Sequence, residues 1–229
     1  MRTFDLVAFD LYGTLLDISG LAAAMRPAVG PEAEELLGRW RKAQLERSWR
    51  INRDGDYVPW DRVTLLALED VAPELSSRVR QDLSRLWLTV PAFEDARATL
   101  EALRTAGTRR AILSNGTHAM ITTAIEAAGL EVDRILSADD VRVYKTDPRV
   151  YALLDHEAGR ARTLFVTSNG WDADGARRAG CNVAWIDRGG EPPLAAPNYR
   201  VSSLSDVIGL TRESGPRASP LKQAGRPDS

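Results

Sequence analysis

An aspartate directly follows a short apolar run near the N-terminus. Asp10 comes after residues 6–9 (LVAF) and before residues 11–14 (LYGT). A carboxylate at the carboxyl end of a buried parallel strand faces the crevice in which open α/β sheets bind ligands. Gly13 allows a sharp backbone turn there, and the Thr14 hydroxyl can hold the carboxylate in place. This pattern predicts a functional carboxylate at a sheet edge.

Two later apolar segments also end in polar residues. Residues 114–116 (SNG) follow one of them, and residues 167–172 (TSNGWD) follow the other. In a parallel sheet these ends lie at the same edge as Asp10, so we expect the three clusters to converge. Almost any doubly wound enzyme shows such convergence, so it locates a site without naming a reaction. For residues 114–116, a helix-capping turn is the alternative to anion binding.

The elements that must position these clusters follow from the hydrophobic pattern. Predicted strands lie at 3–9, 110–114, 135–137, 164–166 and 183–186, with an edge strand at 199–201. Predicted helices at 93–106, from 116 to 129, at 148–159 and at 173–179 separate the later strands. Strands that alternate with helices favour an α/β fold with a doubly wound parallel sheet covered on both faces.

Residues 16–90 have no strand pattern. Helical patterns at 21–49, 60–71 and 75–87 predict a helical cap inserted after the first strand. We therefore expect an α/β core domain of residues 1–15 and 91–211, a helical cap domain of 16–90, and a disordered tail of 212–229 that is rich in Ser, Gly, Pro and charge.

Composition is that of an ordinary globular enzyme. The 229 residues are 44% hydrophobic and carry a net charge of −2, so no global field favours nucleic acid or an acidic membrane. The single cysteine, Cys181, cannot form an internal disulfide and is expected to be a small apolar core residue. Neither an apolar run of about 18 residues nor a secretory signal is present, which predicts a cytoplasmic protein with no membrane partner.

Residues 10–15 (DLYGTL) resemble the first motif of the haloacid dehalogenase superfamily. Most members of that superfamily are phosphatases, which have a second aspartate two residues after the first as general acid. Tyr12 stands at that position here, as is typical of the (S)-2-haloacid dehalogenase branch. The resemblance extends over roughly residues 4–187, and its motifs come in the order of the branch.

Residues 143–151 (VYKTDPRVY) look like the third motif of the branch. Taken alone, Lys145 reads as a surface lysine before a helix. The resemblance implies instead a cation beside Asp10 that keeps the carboxylate ionised. Tyr151 also matches the branch, where its hydroxyl helps to hold the polar network, although a helix face packed on the sheet is an equal alternative. Thr146 replaces the usual proline.

Residues 167–172 are similar to the loop after the fourth strand in the same branch. Phosphatase members have an aspartate where Ser168 stands, and that acid completes their magnesium site. One carboxylate fewer weakens such a site, because magnesium requires hard oxygen ligands. Asp172 is retained, and Thr167 replaces the usual serine while keeping a hydroxyl.

Residues 40–46 (WRKAQLE) would, on pattern alone, form a solvated helix with a charged face. They resemble the cap helix that contains the halide-binding arginine of the branch, which corresponds to Arg41. Arg47 stands where the branch has an aromatic residue, a departure at the expected pocket mouth. Trp60 and Trp171 are most often core residues by type, but here they are candidates for an apolar pocket wall together with Leu45.

The resemblance implies hydrolytic dehalogenation of short (S)-2-haloacids to (R)-2-hydroxyacids, with inversion at C2 and an ester on Asp10 as intermediate. The catalytic set is then Asp10, Thr14, Arg41, Ser114, Lys145, Tyr151, Thr167, Asn169 and Asp172. The substrate-binding set is Leu11, Tyr12, Arg41, Leu45, Trp60, Ser114, Asn115 and Trp171. No cofactor and no metal are required, and a homodimer is implied.

Each residue has an expected task. Arg41, assisted by Asn115, stabilises the departing halide. Ser114 and the backbone N–H groups of Leu11 and Tyr12 bind the substrate carboxylate.

The second step of the reaction falls to two other residues. Asp172 is expected to activate the hydrolytic water, and Asn169 is expected to fix the orientation of the Asp172 carboxylate.

Two other functions compete with this hypothesis. A magnesium-dependent phosphatase of the same superfamily is disfavoured by Tyr12 and Ser168. A non-catalytic binding module is disfavoured by the intact Asp10, Lys145 and Asp172. A magnesium requirement would favour the first, and halide release that depends on Asp10 would eliminate the second.

Overall fold

The computed structural model describes residues 4–212 and contains one six-stranded sheet in the order β3-β2-β1-β4-β5-β6. The strands are β1 (Leu6–Phe9), β2 (Arg109–Ser114), β3 (Arg134–Ser137), β4 (Thr163–Thr167), β5 (Asn182–Ile186) and β6 (Tyr199–Val201). Every neighbouring pair is parallel. The expected doubly wound α/β fold with its helical insertion is confirmed.

The described part of the chain contains nine α-helices. They are α1 (Leu21–Val29), α2 (Ala33–Asp54), α3 (Trp60–Val71), α4 (Ser77–Arg85), α5 (Glu94–Thr105), α6 (His118–Ala127), α7 (Pro148–Ala152), α8 (Gly170–Arg178) and α9 (Ser205–Arg212). No helix within residues 4–212 is long and apolar enough to cross a membrane.

The central strand β1 shows why the sheet is covered on both faces. All four of its residues are buried, and strand side chains alternate between the faces. Val7 and Phe9 belong to one hydrophobic cluster, whereas Leu6 and Ala8 belong to a second one. A sheet with two buried faces keeps only its strand ends available to a ligand, so the site must lie at the edge where Asp10 follows β1.

Helices α1 to α4 form the segment between β1 and β2. Its longest helices, α2 and α3, pack against each other, and the Trp40 indole donates to the Thr64 carbonyl over 2.8 Å. At the base of the segment the two chain crossings hydrogen-bond to each other. Asp17 N–H donates to Pro91 O, and Phe93 N–H donates to Leu15 O. The exact domain boundaries at residues 15/16 and 90/91 stay a prediction.

Several predicted element ends differ from the structure. The predicted helix 148–159 is α7 followed by a 3-10 turn, Leu153–His156. The helix predicted over 75–87 begins after Ser76, because the Ser76 side chain accepts from Val79 N–H as an N-cap, and it ends in a 3-10 turn, Leu86–Leu88.

Helix α9 was not predicted at all. Its Val207 and Thr211 are buried, and the helix packs on α5. Leu204, Val207, Ile208 and Thr211 have the i, i+3, i+4, i+7 spacing of an amphipathic helix, and this pattern could have identified it. The predicted tail 212–229 lies outside the described residues, apart from Arg212 at the end of α9.

Candidate active site

Asp10 lies where the predicted clusters meet. Strand β1 pairs with β2 on one side and with β4 on the other, so Asp10 stands between the residues that follow those strands. The Asp10 N–H donates to Val166 O over 2.9 Å, which continues the ladder for one more residue. The side chain is almost entirely buried, with the residue 8% exposed. The expected convergence of the three clusters on one sheet edge is therefore confirmed.

Both carboxylate oxygens of Asp10 have hydrogen-bond donors. Oδ1 accepts from Lys145 Nζ at 2.9 Å. Oδ2 accepts from Asn169 Nδ2 at 2.7 Å and from Thr14 Oγ1 at 3.2 Å, with Thr167 Oγ1 at a longer 3.5 Å. The carboxylate is thus fixed in one orientation before any ligand arrives.

Lys145 links two buried acids. Its Nζ also donates to Asp172 Oδ2 at 2.8 Å, and the Lys145 side chain is only 1% exposed. Burial works against the charge of Lys145, but the attraction of Asp10 and Asp172 outweighs it, so the pKa of Lys145 is raised. At neutral pH the lysine is a fixed positive charge between the two carboxylates.

Asp172 has no exposed surface, and both of its oxygens are occupied. The Tyr151 hydroxyl donates to Oδ1 at 2.7 Å, opposite the Lys145 bond to Oδ2. Burial raises the pKa of Asp172 to about 6, and the Lys145 charge opposes that rise. The expectation that Asn169 orients Asp172 is wrong, because the Asn169 amide donates to Asp10 and to Tyr12 O instead.

A cavity of about 70 Å³ opens beside Asp10. It is far smaller than the roughly 300–1,000 Å³ of sites for drug-sized ligands, so a ligand here has only a few heavy atoms. The lining residues are Asp10, Tyr12, Arg41, Gln44, Leu45, Trp60, Trp87, Ser114, Asn115, Lys145, Asn169 and Trp171. Aromatic rings and one aliphatic side chain therefore enclose a short polar floor.

Arg41 enters this cavity from α2, which lies in the helical insertion. Its guanidinium Nη1 is buried without a hydrogen-bond partner among the described residues. Burial lowers the pKa of Arg41, while the negative charge of Asp10 raises it. An unpaired guanidinium that faces the same cavity as the carboxylate is a ready site for a small anion.

The predicted substrate-binding residues are distributed as follows. Tyr12, Arg41, Leu45, Trp60, Ser114, Asn115 and Trp171 all line the cavity. Leu11 does not, because its side chain is fully buried in the core, which leaves only its backbone for a ligand. The Asn115 Oδ1 accepts from Lys145 N–H at 2.9 Å, so its NH₂ group is the end left for a ligand.

Among the predicted catalytic residues, four lie behind the cavity wall. Thr14, Tyr151, Thr167 and Asp172 do not line it and reach it only through Asp10 or Lys145. Their hydrogen bonds connect them to the cavity-lining Asp10 and Lys145.

Two lining residues, Gln44 and Trp87, were missing from the predicted site. Gln44 lies three residues after Arg41 on α2, a spacing that puts both on one helix face and could have identified it. Trp87 follows α4 in a 3-10 turn, and only tertiary packing brings it to Arg41.

Ser168 and Tyr12 occupy the positions of the magnesium-binding aspartate and the general acid of the phosphatases. Both are neutral, and both donate hydrogen bonds to backbone carbonyls. Ser168 Oγ donates to Gly13 O at 2.7 Å, and the Tyr12 hydroxyl donates to Trp87 O at 2.8 Å. The oxygens of Asp10 that a metal would need already face Lys145 and Asn169. The donor set therefore does not fit a magnesium ion.

Arg47, which stands where the branch has an aromatic residue, pairs with an acid of the neighbouring helix. Arg47 makes a two-pronged ion pair with Asp70 on α3, with Nη2 to Oδ1 at 2.7 Å and Nε to Oδ2 at 3.0 Å. It joins α2 to α3 and does not line the cavity.

Comparison with known proteins agrees with this geometry. Residues 4–180 match the model of the haloacid dehalogenase-like hydrolases. The (S)-2-haloacid dehalogenase of Pseudomonas sp. (strain YL) is 37% identical over 89% of this chain and 93% of its own length. Haloacetate dehalogenase H-2 of Moraxella sp. (strain B) is 34% identical over 92% of this chain and 99% of its own.

A solved structure is also similar. The L-2-haloacid dehalogenase of Xanthobacter autotrophicus with covalently bound chloropropionic acid superposes with a TM-score of 0.85 and 30% identity. The superposition covers 93% of this chain and 100% of that one.

Proposed function

Because the chain belongs to the haloacid dehalogenase-like hydrolases, we propose that it hydrolyses short (S)-2-haloacids to (R)-2-hydroxyacids. One observation supports this most directly. Asp10 is fixed beside Lys145 in a small aromatic cavity that also holds Arg41, while the positions of the phosphatase acids are taken by Tyr12 and Ser168. Carbon–halogen substitution needs a carboxylate nucleophile and an anion site, but no acid for the leaving group.

The charges of the site suit an anionic substrate. Asp10 and Asp172 contribute two negative charges, and Lys145 and Arg41 contribute two positive ones. A haloacid carboxylate therefore meets no net repulsion on entering. We assign its binding to the Ser114 hydroxyl and the N–H groups of Leu11 and Tyr12.

In the first step Asp10 attacks C2 of the haloacid. A bond forms between the carboxylate oxygen and C2, and the halide leaves with the electron pair of the carbon–halogen bond. Attack from the face opposite the halide inverts C2. Thr14, Asn169 and Lys145 hold the carboxylate in line, and such positioning contributes on the order of 7–11 kcal/mol in favourable systems.

The halide leaves towards Arg41 and the Asn115 NH₂ group. Both are hydrogen-bond donors at the cavity wall, and the surrounding rings exclude water and so strengthen the attraction. Leu45, Trp60 and Trp171 bound the space for the short alkyl chain. The small volume and the similarity to a haloacetate dehalogenase support substrates of two or three carbons.

In the second step water hydrolyses the ester. The water oxygen bonds to the Asp10 carboxyl carbon, and the bond from that carbon to the oxygen attached to C2 breaks. One water proton goes to Asp172, and the other goes to the departing alkoxide, which becomes the hydroxyl group of the product. Ester formation removes the Asp10 charge, which loosens one of the two bonds of Lys145 and opens a path to Asp172. Asp10 is then regenerated as a carboxylate.

The proposed reaction is tested with chelator-treated enzyme and (S)-2-chloropropionate. We expect chloride release that is unaffected by chelator and a product that is the (R)-hydroxyacid by chiral chromatography. Turnover of phosphate esters alone, and only when magnesium is added, would instead establish the phosphatase alternative.

The pH dependence of ester hydrolysis tests Asp172. It must be ionised to accept a proton, so the step slows as pH falls through its pKa of about 6. The negative charge of Asp10 also raises the pKa of Asp172, and esterification removes that charge, so the wild-type limb is expected at or below pH 6. The Tyr151 bond favours the ionised form, so Tyr151→Phe should move the limb upward by about 0.5–1 pH unit.

Single-turnover hydrolysis rates across pH measure this shift. Tyr57→Phe is the matched control, because its hydroxyl bonds Asp139 outside the cavity, and its limb should coincide with the wild-type one. Coincident limbs for Tyr151→Phe and wild type would remove Asp172 from the proton transfer.

We also propose that the enzyme works in the cytoplasm as a homodimer, with the core and cap domains divided as the sequence predicts. The family resemblance supports the dimer. The backbone bonds from Asp17 to Pro91 and from Phe93 to Leu15 support a domain junction there. Sedimentation velocity measures the oligomeric state directly.

A further inference from the structure

Two buried donors without partners belong to the same cavity wall. Within residues 4–212, four buried side-chain polar atoms have no hydrogen-bond partner: Arg41 Nη1, Trp87 Nε1, Thr99 Oγ1 and Arg188 Nε. Arg41 and Trp87 line the cavity beside Asp10, whereas Thr99 and Arg188 do not. Buried donors nearly always have a hydrogen-bond partner in folded proteins. Two unpartnered donors on residues that line one cavity therefore indicate that the cavity binds a ligand that accepts hydrogen bonds.

Trp87 is held firmly in this position. Its carbonyl accepts from the Tyr12 hydroxyl at 2.8 Å. Its ring packs edge-on against Tyr12 and Trp40, with centroids 5.4 and 5.6 Å apart. The residue is 5% exposed, so its indole N–H cannot turn to bulk solvent for a partner.

The chemistry of the two groups defines the missing acceptor. Guanidinium and indole N–H groups donate only, so a ligand that satisfies both must itself be a pure acceptor. The aromatic surroundings favour a large, weakly hydrated anion over a strongly hydrated one. A halide released at Asp10 meets both requirements.

We propose that the Trp87 indole N–H donates a hydrogen bond to the departing halide and acts together with Arg41. The inference rests on the proposed dehalogenation and adds to it a binding residue on the turn after α4. Trp40 offers a natural comparison. Its indole lies in the same aromatic cluster but already donates to Thr64 O at 2.8 Å, so it has no donor to offer.

Bromide inhibition of haloacid turnover tests the assignment. Trp87→Phe keeps a ring and removes only the N–H, so the inhibition constant for bromide should rise about tenfold, as expected for a lost hydrogen bond to a charged group. Trp40→Phe should leave that constant within about twofold and instead lower the melting temperature. An unchanged bromide constant in a folded Trp87→Phe enzyme overturns the proposal.

A measurement on the unaltered protein covers the case in which Trp87→Phe does not fold. With nitrogen-labelled tryptophan, bromide should shift the Trp87 indole N–H resonance downfield and leave that of Trp40 in place. A Trp87 resonance that does not respond to bromide overturns the inference. So does one that responds to acetate and not to bromide, because Trp87 would then bind the carboxylate.

The two levels of hypothesis fail separately. Absence of chloride release from any haloacid defeats the proposed function, whatever bromide does. Normal turnover, together with a bromide inhibition constant that is unchanged in Trp87→Phe, overturns only the inference about the indole.

Discussion

Asp10→Asn is expected to reduce halide release by about ten-thousand-fold or more. The amide cannot form the ester with C2, and no other carboxylate lines the cavity among residues 4–212. Asp172 cannot take over, because it is fully buried behind Lys145. Chloride release under saturating haloacid measures the loss.

Asp187→Asn provides the matched control. Asp187 follows β5 at the same edge of the sheet, but it pairs with Arg200 at 2.7 Å and lies outside the cavity. Its replacement should change halide release less than about twofold. Substantial release by Asp10→Asn would mean that the carboxylate is not the nucleophile. Loss of release would also eliminate the binding-module alternative.

Isotope transfer separates nucleophilic attack by Asp10 from direct attack by water. In a single turnover in heavy-oxygen water, the first hydroxyacid should contain an ordinary oxygen that came from Asp10. The heavy oxygen should appear in the Asp10 carboxylate, where mass spectrometry of the peptide can locate it. A first product that already contains solvent oxygen contradicts the ester intermediate.

Lys145→Met is expected to destabilise the fold and to disable the nucleophile together. The substitution removes the positive charge that lies within 2.9 Å of both Asp10 and Asp172. Breaking such a buried pair costs about 3–5 kcal/mol of unfolding free energy at neutral pH. Asp10 Oδ1 then loses the donor that fixes its position, so halide release should fall by about a hundredfold or more.

The destabilisation should depend on pH in a definite direction. The folded-state pKa of buried Asp172 already lies above the unfolded value near 4, and loss of the Lys145 charge raises it further. The folded state then binds protons more tightly than the unfolded one, so the deficit is largest above the folded pKa and shrinks as pH falls towards 4. Urea unfolding of variant and wild type at several pH values measures it.

Arg149→Met is the control for this experiment. Arg149 pairs with Asp147 at 2.8 Å on the surface, where its side chain is 61% exposed. Exposed pairs contribute little to stability, so both stability and halide release should be nearly unchanged. A Lys145→Met enzyme as stable as wild type would show that the two carboxylates do not depend on the lysine.

The polar floor of the site followed from the sequence because strand order fixes it. Asp10, residues 114–116 and residues 167–172 each follow an apolar strand, and parallel strands end at one edge. The neutral residues Tyr12 and Ser168 could also be identified from the sequence, because they stand at motif positions where the phosphatases have aspartates. Local pattern and backbone geometry therefore determined the fold class and the position of the proposed nucleophile.

The wall of the cavity and the hydrogen-bond partners were decided only by tertiary structure. Trp87 lines the same cavity as Arg41 because the turn after α4 packs on Trp40 of α2. Asn169 donates to Asp10 and not to the Asp172 carboxylate. Side-chain contacts between elements distant in sequence depend on packing angles and rotamers, and a one-dimensional pattern contains neither.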